Sequence, residues 1–308
     1  MKGRWMQRRP KYLYIALAGA IFLLLATWAV ACVRNRGTAR SLAHAPSRPT
    51  LPTAPAIAPP TLAHGIESSV HVALGIPKDA DDSDDWIMDK EVFVVSYNSR
   101  LNTPNWVAWN LSDRYLGSSP RASSFHSDMA LPTSFYRVRD EDYAGSGYDR
   151  GHLCPSADRS LDSAMNKATF VLTNAQPQEH GLNAGPWEKL EIHERELAKR
   201  GKELYVVAGG IFEEEPKRIG KDRNRAHQIA VPHANYKIIV VLERGQDAHS
   251  VEPNTPVIAA IMPNRRDASL HDWPFYQVSV RAIEEATGYD FLSRVPKDIQ
   301  NIIETRPP

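Results

Sequence analysis

Asp149, Arg150 and His152 place an acid, a fixed cation and a titratable base within four residues. Arg150 can hold a phosphate through its planar fork of donors. His152 can accept a proton from water near neutral pH. We expect Gly151 to let the backbone turn tightly, so that both side chains face one substrate. The combination suits cleavage of a phosphodiester bond.

The chemistry of phosphodiester cleavage sets what else a site must contain. A water must lose a proton, the phosphate must be stabilised in the transition state, and the leaving oxygen must be neutralised. Magnesium prefers hard oxygen ligands and keeps most of its waters. An Asn amide oxygen with water ligands is therefore chemically reasonable, although spacing alone does not single out a ligand.

A predicted helix over residues 186–200 supplies the next polar side chains. Pro186 suits the first helical position, and Gly201 suits the position after the end. Trp187, Leu190 and Leu197 recur at helical spacing and form an apolar stripe. The helix is therefore expected to pack one face on a core.

Glu191 and Arg195 lie four residues apart on that helix, and Asn183 comes just before its first turn. The helix could thus present all three side chains to one site. Each also has an ordinary interpretation. Glu191 with Arg195 could be a solvated pair worth about 0.3–0.5 kcal/mol, and Asn183 could be an N-terminal cap. Arg121, after a proline, could be a simple loop residue.

Three segments resemble, in order, the motifs of the DNA/RNA non-specific endonuclease family. They are D-R-G-H at 149–152, T-N-x-x-P-Q at 173–178 and L-N-x-G-x-W-x-x-L-E-x-x-x-R at 182–195. The resemblance extends over residues 70–295, and the family has mitochondrial members such as endonuclease G. It favours functional roles for His152, Arg150 and Asn183 over the ordinary interpretations.

The resemblance implies a role for each matching residue around the metal. His152 would be the general base that activates the attacking water. Asn183 would be the only direct protein ligand of a Mg²⁺ ion, for which Mn²⁺ could substitute. Glu191 would orient a metal-bound water.

The resemblance also assigns the remaining polar residues. Arg150, Arg121 and Arg195 would neutralise phosphate charge. Asn174 would support the site through hydrogen bonds. Asp149 would shape the loop or touch a metal-bound water.

Short segments rich in β-branched or aromatic residues predict the fold class. Strands are predicted at 92–97, 106–111, 170–172, 204–208, 236–242, 257–262 and 276–280, and helices at 163–168, 186–200 and 282–287. Strands outnumber helices without βαβ alternation, which favours an α+β fold with a mostly antiparallel central sheet. The family resemblance adds a ββα-metal finger as the active site. Trp106, Trp109 and Cys154 are expected in the core.

Composition divides the chain into four parts. Residues 1–11 form a basic, cytoplasmic N-terminus, and residues 12–33 carry no charge and are long enough to span a bilayer as an anchor or signal segment. Residues 34–65 form a Pro- and Ala-rich linker. Residues 66–308 form the endonuclease domain, which is long enough to bury one good core.

Charge placement favours a single-pass membrane protein. Five cations precede the apolar segment, so the catalytic domain is expected outside the cytoplasm, on the periplasmic or extracellular side. Two alternatives stay open: a secreted protein cleaved near residues 29–31, and the mitochondrial inner membrane.

The first 65 residues hold nine Lys or Arg and no Asp or Glu. Of the 37 basic and 36 acidic residues in the chain, the remainder therefore keeps 28 and 36, a net charge of −8. A protein coated in positive charge is excluded, so binding is expected to rely on a local arginine cluster and the metal, and to weaken in salt.

These features predict a membrane-tethered, metal-dependent endonuclease that hydrolyses DNA and RNA with little sequence preference. Its partners would be DNA and RNA as substrates and the membrane through residues 12–33, with a homodimer left open. Two other functions are compatible with the same residues. One is a catalytically inactive nucleic-acid-binding protein on this fold, and the other is a metal-dependent phosphoesterase of small substrates.

Overall fold

The computed structural model describes residues 65–308, so the basic N-terminus, the apolar segment 12–33 and nearly all of the linker lie outside it. Within the described part, no helix combines the length and the apolar character needed to cross a bilayer. The prediction of a single-pass membrane protein is corrected on this finding, and it is not carried further below.

The strands of the described chain are numbered in chain order. They are β1 Trp86–Asp89, β2 Val94–Asn98, β3 Thr103–Leu111, β4 Asp149–His152, β5 Ala175–Gln178, β6 Lys202–Ile211, β7 Arg218–Ile219, β8 Ile229–Ala230, β9 Ala234–Glu243 and β10 Val257–Pro263. Six of them form the central sheet in the order β1-β2-β3-β6-β9-β10, and every neighbouring pair is antiparallel. The predicted α+β class with an antiparallel central sheet is confirmed.

The central sheet is buried on both faces. Trp106 and Trp109, three residues apart on β3, point to opposite faces and are both fully buried. Trp106 packs in a cluster with Tyr236 and Phe291, whereas Trp109 packs in a second cluster with Trp187. The prediction that both tryptophans lie in the core is confirmed.

The helices are short and lie around this sheet. They are α1 Asp140–Tyr143, α2 Ser163–Ala168, α3 His180–Leu182, α4 Glu188–Lys199, α5 Val280–Thr287 and α6 Lys297–Ile303. A wide turn, Asn183–Trp187, joins α3 to α4, with non-helical backbone angles at Gly185. The helix predicted at 186–200 therefore begins slightly later, and Gly201 follows its end with a left-handed φ of 88°.

A hairpin of β4 and β5 lies outside the central sheet and is followed in the chain by α4. The strands pair antiparallel, with Asp149 opposite Gln178 and His152 opposite Ala175. This hairpin and helix form the ββα unit that the family resemblance implied.

Two of the predicted strands, at residues 170–172 and 276–280, do not form within the described chain. Residues 170–172 lead into a 3₁₀ turn, Leu172–Asn174, and the strand begins only at Ala175. Residues 276–280 run from the end of another 3₁₀ turn, Trp273–Tyr276, to the start of α5, which Ser279 caps through the N–H of Ala282. In both cases β-branched and aromatic residues pack in a core without joining a ladder, because tertiary packing overrides local preference.

Candidate functional site

The hairpin places Arg150 and His152 on one face because residues two apart in a strand point the same way. The tight turn expected at Gly151 is wrong, since Gly151 lies inside β4 opposite Gln176. Glycine is needed there for space. A Cβ added to residue 151 would point to the face of β4 opposite to Arg150 and His152, where it would lie 2.0 Å from Oε1 of the buried Gln178.

Polar side chains from three parts of the chain line one cleft with a volume of about 340 Å³. They come from the loop before α1, from β4 and the turn after it, and from α4 and the turn before it. The residues are Arg121, Arg150, His152, Ser156, Asn183, Glu188, Glu191 and Arg195. The structure therefore brings together every residue that the sequence assigned to catalysis or metal binding.

The His152 imidazole is enclosed by aromatic side chains. It is only 7% exposed, and its ring centroid lies 4.6 Å from that of Phe125 and 4.8 Å from that of Phe170. Burial, and then the charge of Arg121, lower the pKa of His152 to about 3. Within the described residues, Nε2 is buried and has no hydrogen-bond partner. Burial therefore favours the neutral ring, and Nε2 is not used by any hydrogen bond within the described residues.

Asn183 is oriented by Asp149. Its Nδ2 donates to Asp149 Oδ2 over 3.0 Å, and the same carboxylate oxygen lies 2.8 Å from His180 Nδ1. This bond uses the amide nitrogen of Asn183 and leaves the amide oxygen for the cleft. The family resemblance implies two possible roles for Asp149, and this contact fits the first of them, which is to shape the loop.

Arg121 and Arg150 lie on the hairpin side of the cleft. Arg121 Nη1 donates to Ser156 Oγ over 2.6 Å, and its guanidinium carbon lies 5.1 Å from the Phe170 ring centroid. Arg150 Nε lies 2.5 Å from Asp140 Oδ1 of α1. Both cations are thus held by protein contacts before any substrate binds.

Glu191 and Arg195 are not the solvated pair that their spacing allowed. Their side chains are 14% and 15% exposed, with Glu191 Oε2 3.9 Å from Arg195 Nη1. Arg195 Nη1 also donates to Asp158 Oδ1 over 3.0 Å, and the fully buried Asp158 accepts a bond from Trp109 Nε1. Burial raises the pKa of Glu191 to about 8.

A second ion pair lies deeper under α4. Lys237 Nζ of β9 lies 3.0 Å from Glu194 Oε1, and both side chains are fully buried. The ammonium is 4.5 Å from the Trp187 ring centroid and 5.4 Å from that of Trp109. This pair joins the helix to the central sheet and fixes which face of α4 turns to the cleft.

Asn174 supports the hairpin from inside the core. It is fully buried, donates through Nδ2 to the carbonyls of Cys154 and Thr169, and accepts the Cys154 N–H at Oδ1. The family-implied supporting contacts are therefore present, and Cys154 is buried as expected.

Sequence reasoning missed Asp140, Asp158, Glu194 and Lys237. Asp158 and Arg195 lie 37 residues apart, and Glu194 and Lys237 lie on different elements, so local spacing gives no sign of these pairs. Lys237 alone had a usable signal, since it is the single cation of a mostly apolar strand and must find a partner when buried.

Comparison with known proteins defines the class. The model of the DNA/RNA non-specific endonuclease family matches residues 74–298. The chain belongs to this family, and it is accordingly a hydrolase of the nuclease class.

Two relatives illustrate the range of the similarity. The chain is 42% identical to a nuclease of Nostoc sp. over 243 residues, which cover 77% of this chain and 86% of that protein. It is 32% identical to the mitochondrial nuclease EXOG of Xenopus laevis over 211 residues, which cover 66% of this chain but only 57% of that protein.

A solved structure agrees with the fold. The chain is similar to one in a crystal structure of the EndoG/EndoGI complex, with a TM-score of 0.61 and 26% identity. The match covers 74% of this chain and 91% of that one. The mixed fold with its ββα unit is therefore shared with EndoG.

Proposed function

We propose that this protein is a metal-dependent endonuclease that hydrolyses the phosphodiester bonds of DNA and RNA with little sequence preference. One observation carries the proposal: His152, whose Nε2 has no hydrogen-bond partner within the described residues, lines the same cleft as Asn183, Glu191 and the three arginines. His152 acts as the general base that takes a proton from the attacking water.

The residues at the Asn183 turn suit a hydrated magnesium ion. The bond from Asn183 Nδ2 to Asp149 fixes the amide so that its oxygen remains as a hard donor. No group of three or more His, Cys, Asp or Glu able to hold a metal occurs in residues 65–308. Magnesium keeps most of its waters and does not require such a group. Such an ion, Mg²⁺ or Mn²⁺ in its place, would supply positive charge beside the scissile phosphate.

Glu191 and Asp149 act on the surroundings of that ion. Glu191 lies on the first turn of α4 and lines the same cleft as Asn183, where it would orient a metal-bound water. Burial raises the pKa of Glu191 to about 8, although the charges of Lys237 and Arg195 lower it. A divalent cation in the cleft would favour the carboxylate form.

Arg121, Arg150 and Arg195 neutralise the phosphate as negative charge develops. Each is held in place by a protein contact, to Ser156, Asp140 and Asp158 respectively. Contacts to phosphate carry no sequence information. Cutting is therefore expected to be nearly indifferent to base sequence and to accept either sugar.

The test is digestion of plasmid DNA and of RNA by the purified protein, with and without excess chelator. Cutting of both substrates that stops in chelator and resumes with added Mg²⁺ supports the proposal. Full activity in chelator would contradict the metal. Binding without cutting would indicate an inactive nucleic-acid-binding protein, and turnover of a small diester alone would indicate a phosphoesterase of small substrates.

A further inference from the structure

A basic loop lies beside the hairpin, although the domain as a whole is acidic. We define the basic loop as residues 217–227. Its five cations are Lys217, Arg218, Lys221, Arg223 and Arg225, and Asp222 is its one acid. Positive charge is therefore concentrated in a segment that no catalytic role has used.

The basic loop is held firmly to the domain. The buried Asn102 donates through Nδ2 to the carbonyls of Ala226 and Gln228, over 2.8 and 3.0 Å. Arg218 donates to the carbonyls of Gln228 and Arg100, each over 3.0 Å. A surface ordered before binding loses little conformational entropy when it takes a ligand.

Two contacts place the basic loop next to the cleft. Lys217 Nζ donates to the hydroxyl of Tyr148 over 2.9 Å, and Tyr148 comes two residues before Arg150. The ring of His227 stacks on that of Tyr136, with centroids 4.7 Å apart and an angle of 11° between planes.

Arg139 joins this surface to the cleft. Its exposed guanidinium lies 6.0 Å from the Tyr136 ring centroid. The next residue, Asp140, is the ion-pair partner of Arg150. A continuous run of side chains therefore leads from the cleft, through α1, to the basic loop.

Most of the exposed cations here lack carboxylate partners. Arg225 pairs with Glu215, and His227 lies 2.6 Å from Asp222. Lys217, Lys221 and Arg223 are exposed, and no ion pair joins them to any residue of the described chain. Their charges remain available to an external anion.

We propose that the basic loop, with Arg139, forms a second phosphate-binding surface that holds the nucleic-acid backbone on the Arg150 side of the cleft. This inference rests on the proposed function. A cleft of about 340 Å³ contacts only a short stretch of a strand, so a longer substrate must cross the neighbouring surface. Cations there would strengthen the binding of longer nucleic acids without adding sequence preference.

The test compares two pairs of substitutions at exposed cations. The test pair is Lys221→Ala with Arg223→Ala, and the matched control pair is Lys199→Ala with Arg200→Ala at the C-terminal end of α4. Each pair is made in the full chain carrying His152→Ala, so that binding can be measured without cutting. Affinity for a short and a long duplex of mixed sequence is measured across a salt series. In parallel, each pair is made with His152 intact and assayed on a small phosphodiester.

The test pair should weaken binding of the long duplex by on the order of tenfold and lower the slope of log affinity against log salt by about two. Its effect on the short duplex should be small, and turnover of the small diester should not change. Unchanged long-duplex binding, or an equal loss in the control pair, would overturn the proposal. Failure of the unaltered chain to cut nucleic acid would instead overturn the proposed function, whereas the binding comparison still decides the role of the basic loop.

Discussion

The two sides of the cleft are built on opposite physical principles. On the hairpin side, His152 sits between aromatic rings and has no hydrogen bond at its buried Nε2 within the described residues. On the α4 side, Arg195, Asp158, Glu194 and Lys237 form buried contacts between opposite charges. Burial among apolar groups lowers the pKa of His152 and favours the neutral ring, whereas on the α4 side each of these buried carboxylates lies beside a cation. A site that needs both a neutral base and fixed charges thus requires two different surroundings.

The largest expected effect is on the hairpin side. His152→Ala should lower the rate of DNA and RNA cleavage by about 10²–10⁴-fold, because general-base catalysis is lost. Initial rates measure this, and circular dichroism checks the fold. His249→Ala, at an exposed histidine, serves as the control. If the folded His152→Ala protein kept more than about a tenth of the activity, another group would be the base.

On the α4 side, breaking one ion pair should act first on stability. Lys237→Met leaves Glu194 buried without its partner, which should cost about 3–5 kcal/mol in the free energy of unfolding. Denaturant unfolding measures the loss. The double variant Lys237→Met with Glu194→Leu removes both charges and should recover a large part of it. Equal instability of the single and double variants would show that packing, and not charge pairing, sets the cost.

The turn that carries Asn183, the proposed metal ligand, precedes α4 in the chain, and its variants should affect the metal requirement. Asn183→Ala should abolish metal-dependent cutting, since the proposed ion would lose its protein ligand. Glu191→Ala should lower the rate by about 10–100-fold, as is usual for groups that orient a metal's surroundings. Titration of activity with Mg²⁺ measures both effects. An unchanged Mg²⁺ requirement in Asn183→Ala would place the ion elsewhere.

The effect that is smallest at pH 7 concerns stability, and it grows as the pH falls. The folded protein holds the pKa of His152 at about 3, below the ordinary value of 6.5. Between these values the unfolded chain binds a proton that the folded chain does not, so this histidine lowers stability as pH falls from 6.5 towards 3. His152→Gln should remove that part of the pH dependence. Identical slopes of unfolding free energy against pH in both proteins would contradict the effect.

The family resemblance, more than spacing alone, pointed to the cleft residues; most of them lie on β4, α4 and the turn before α4, whereas Arg121 comes from a distant loop. The contacts that explain why these residues stand where they do were harder to predict. Gly151 is explained by Gln178, which packs across it, and β4 itself was missed because a charged, glycine-containing segment has low strand preference. The contact between Asp158 and Arg195 spans 37 residues. Periodicity can assign a residue to a helix face, but it cannot name the partner that meets that face.

The placement of the ββα unit within the chain has a consequence for folding kinetics. β3 and β6 are neighbours in the sheet, with Leu111 opposite Leu204, yet the whole hairpin and α4 lie between them in the chain. Closing so long a loop costs entropy before the ladder can form, and topologies rich in such distant contacts fold slowly. The contact between Glu194 of α4 and Lys237 of β9 likewise joins distant parts of the chain. We therefore expect refolding protein to regain secondary structure before nuclease activity, with a measurable delay between the two signals.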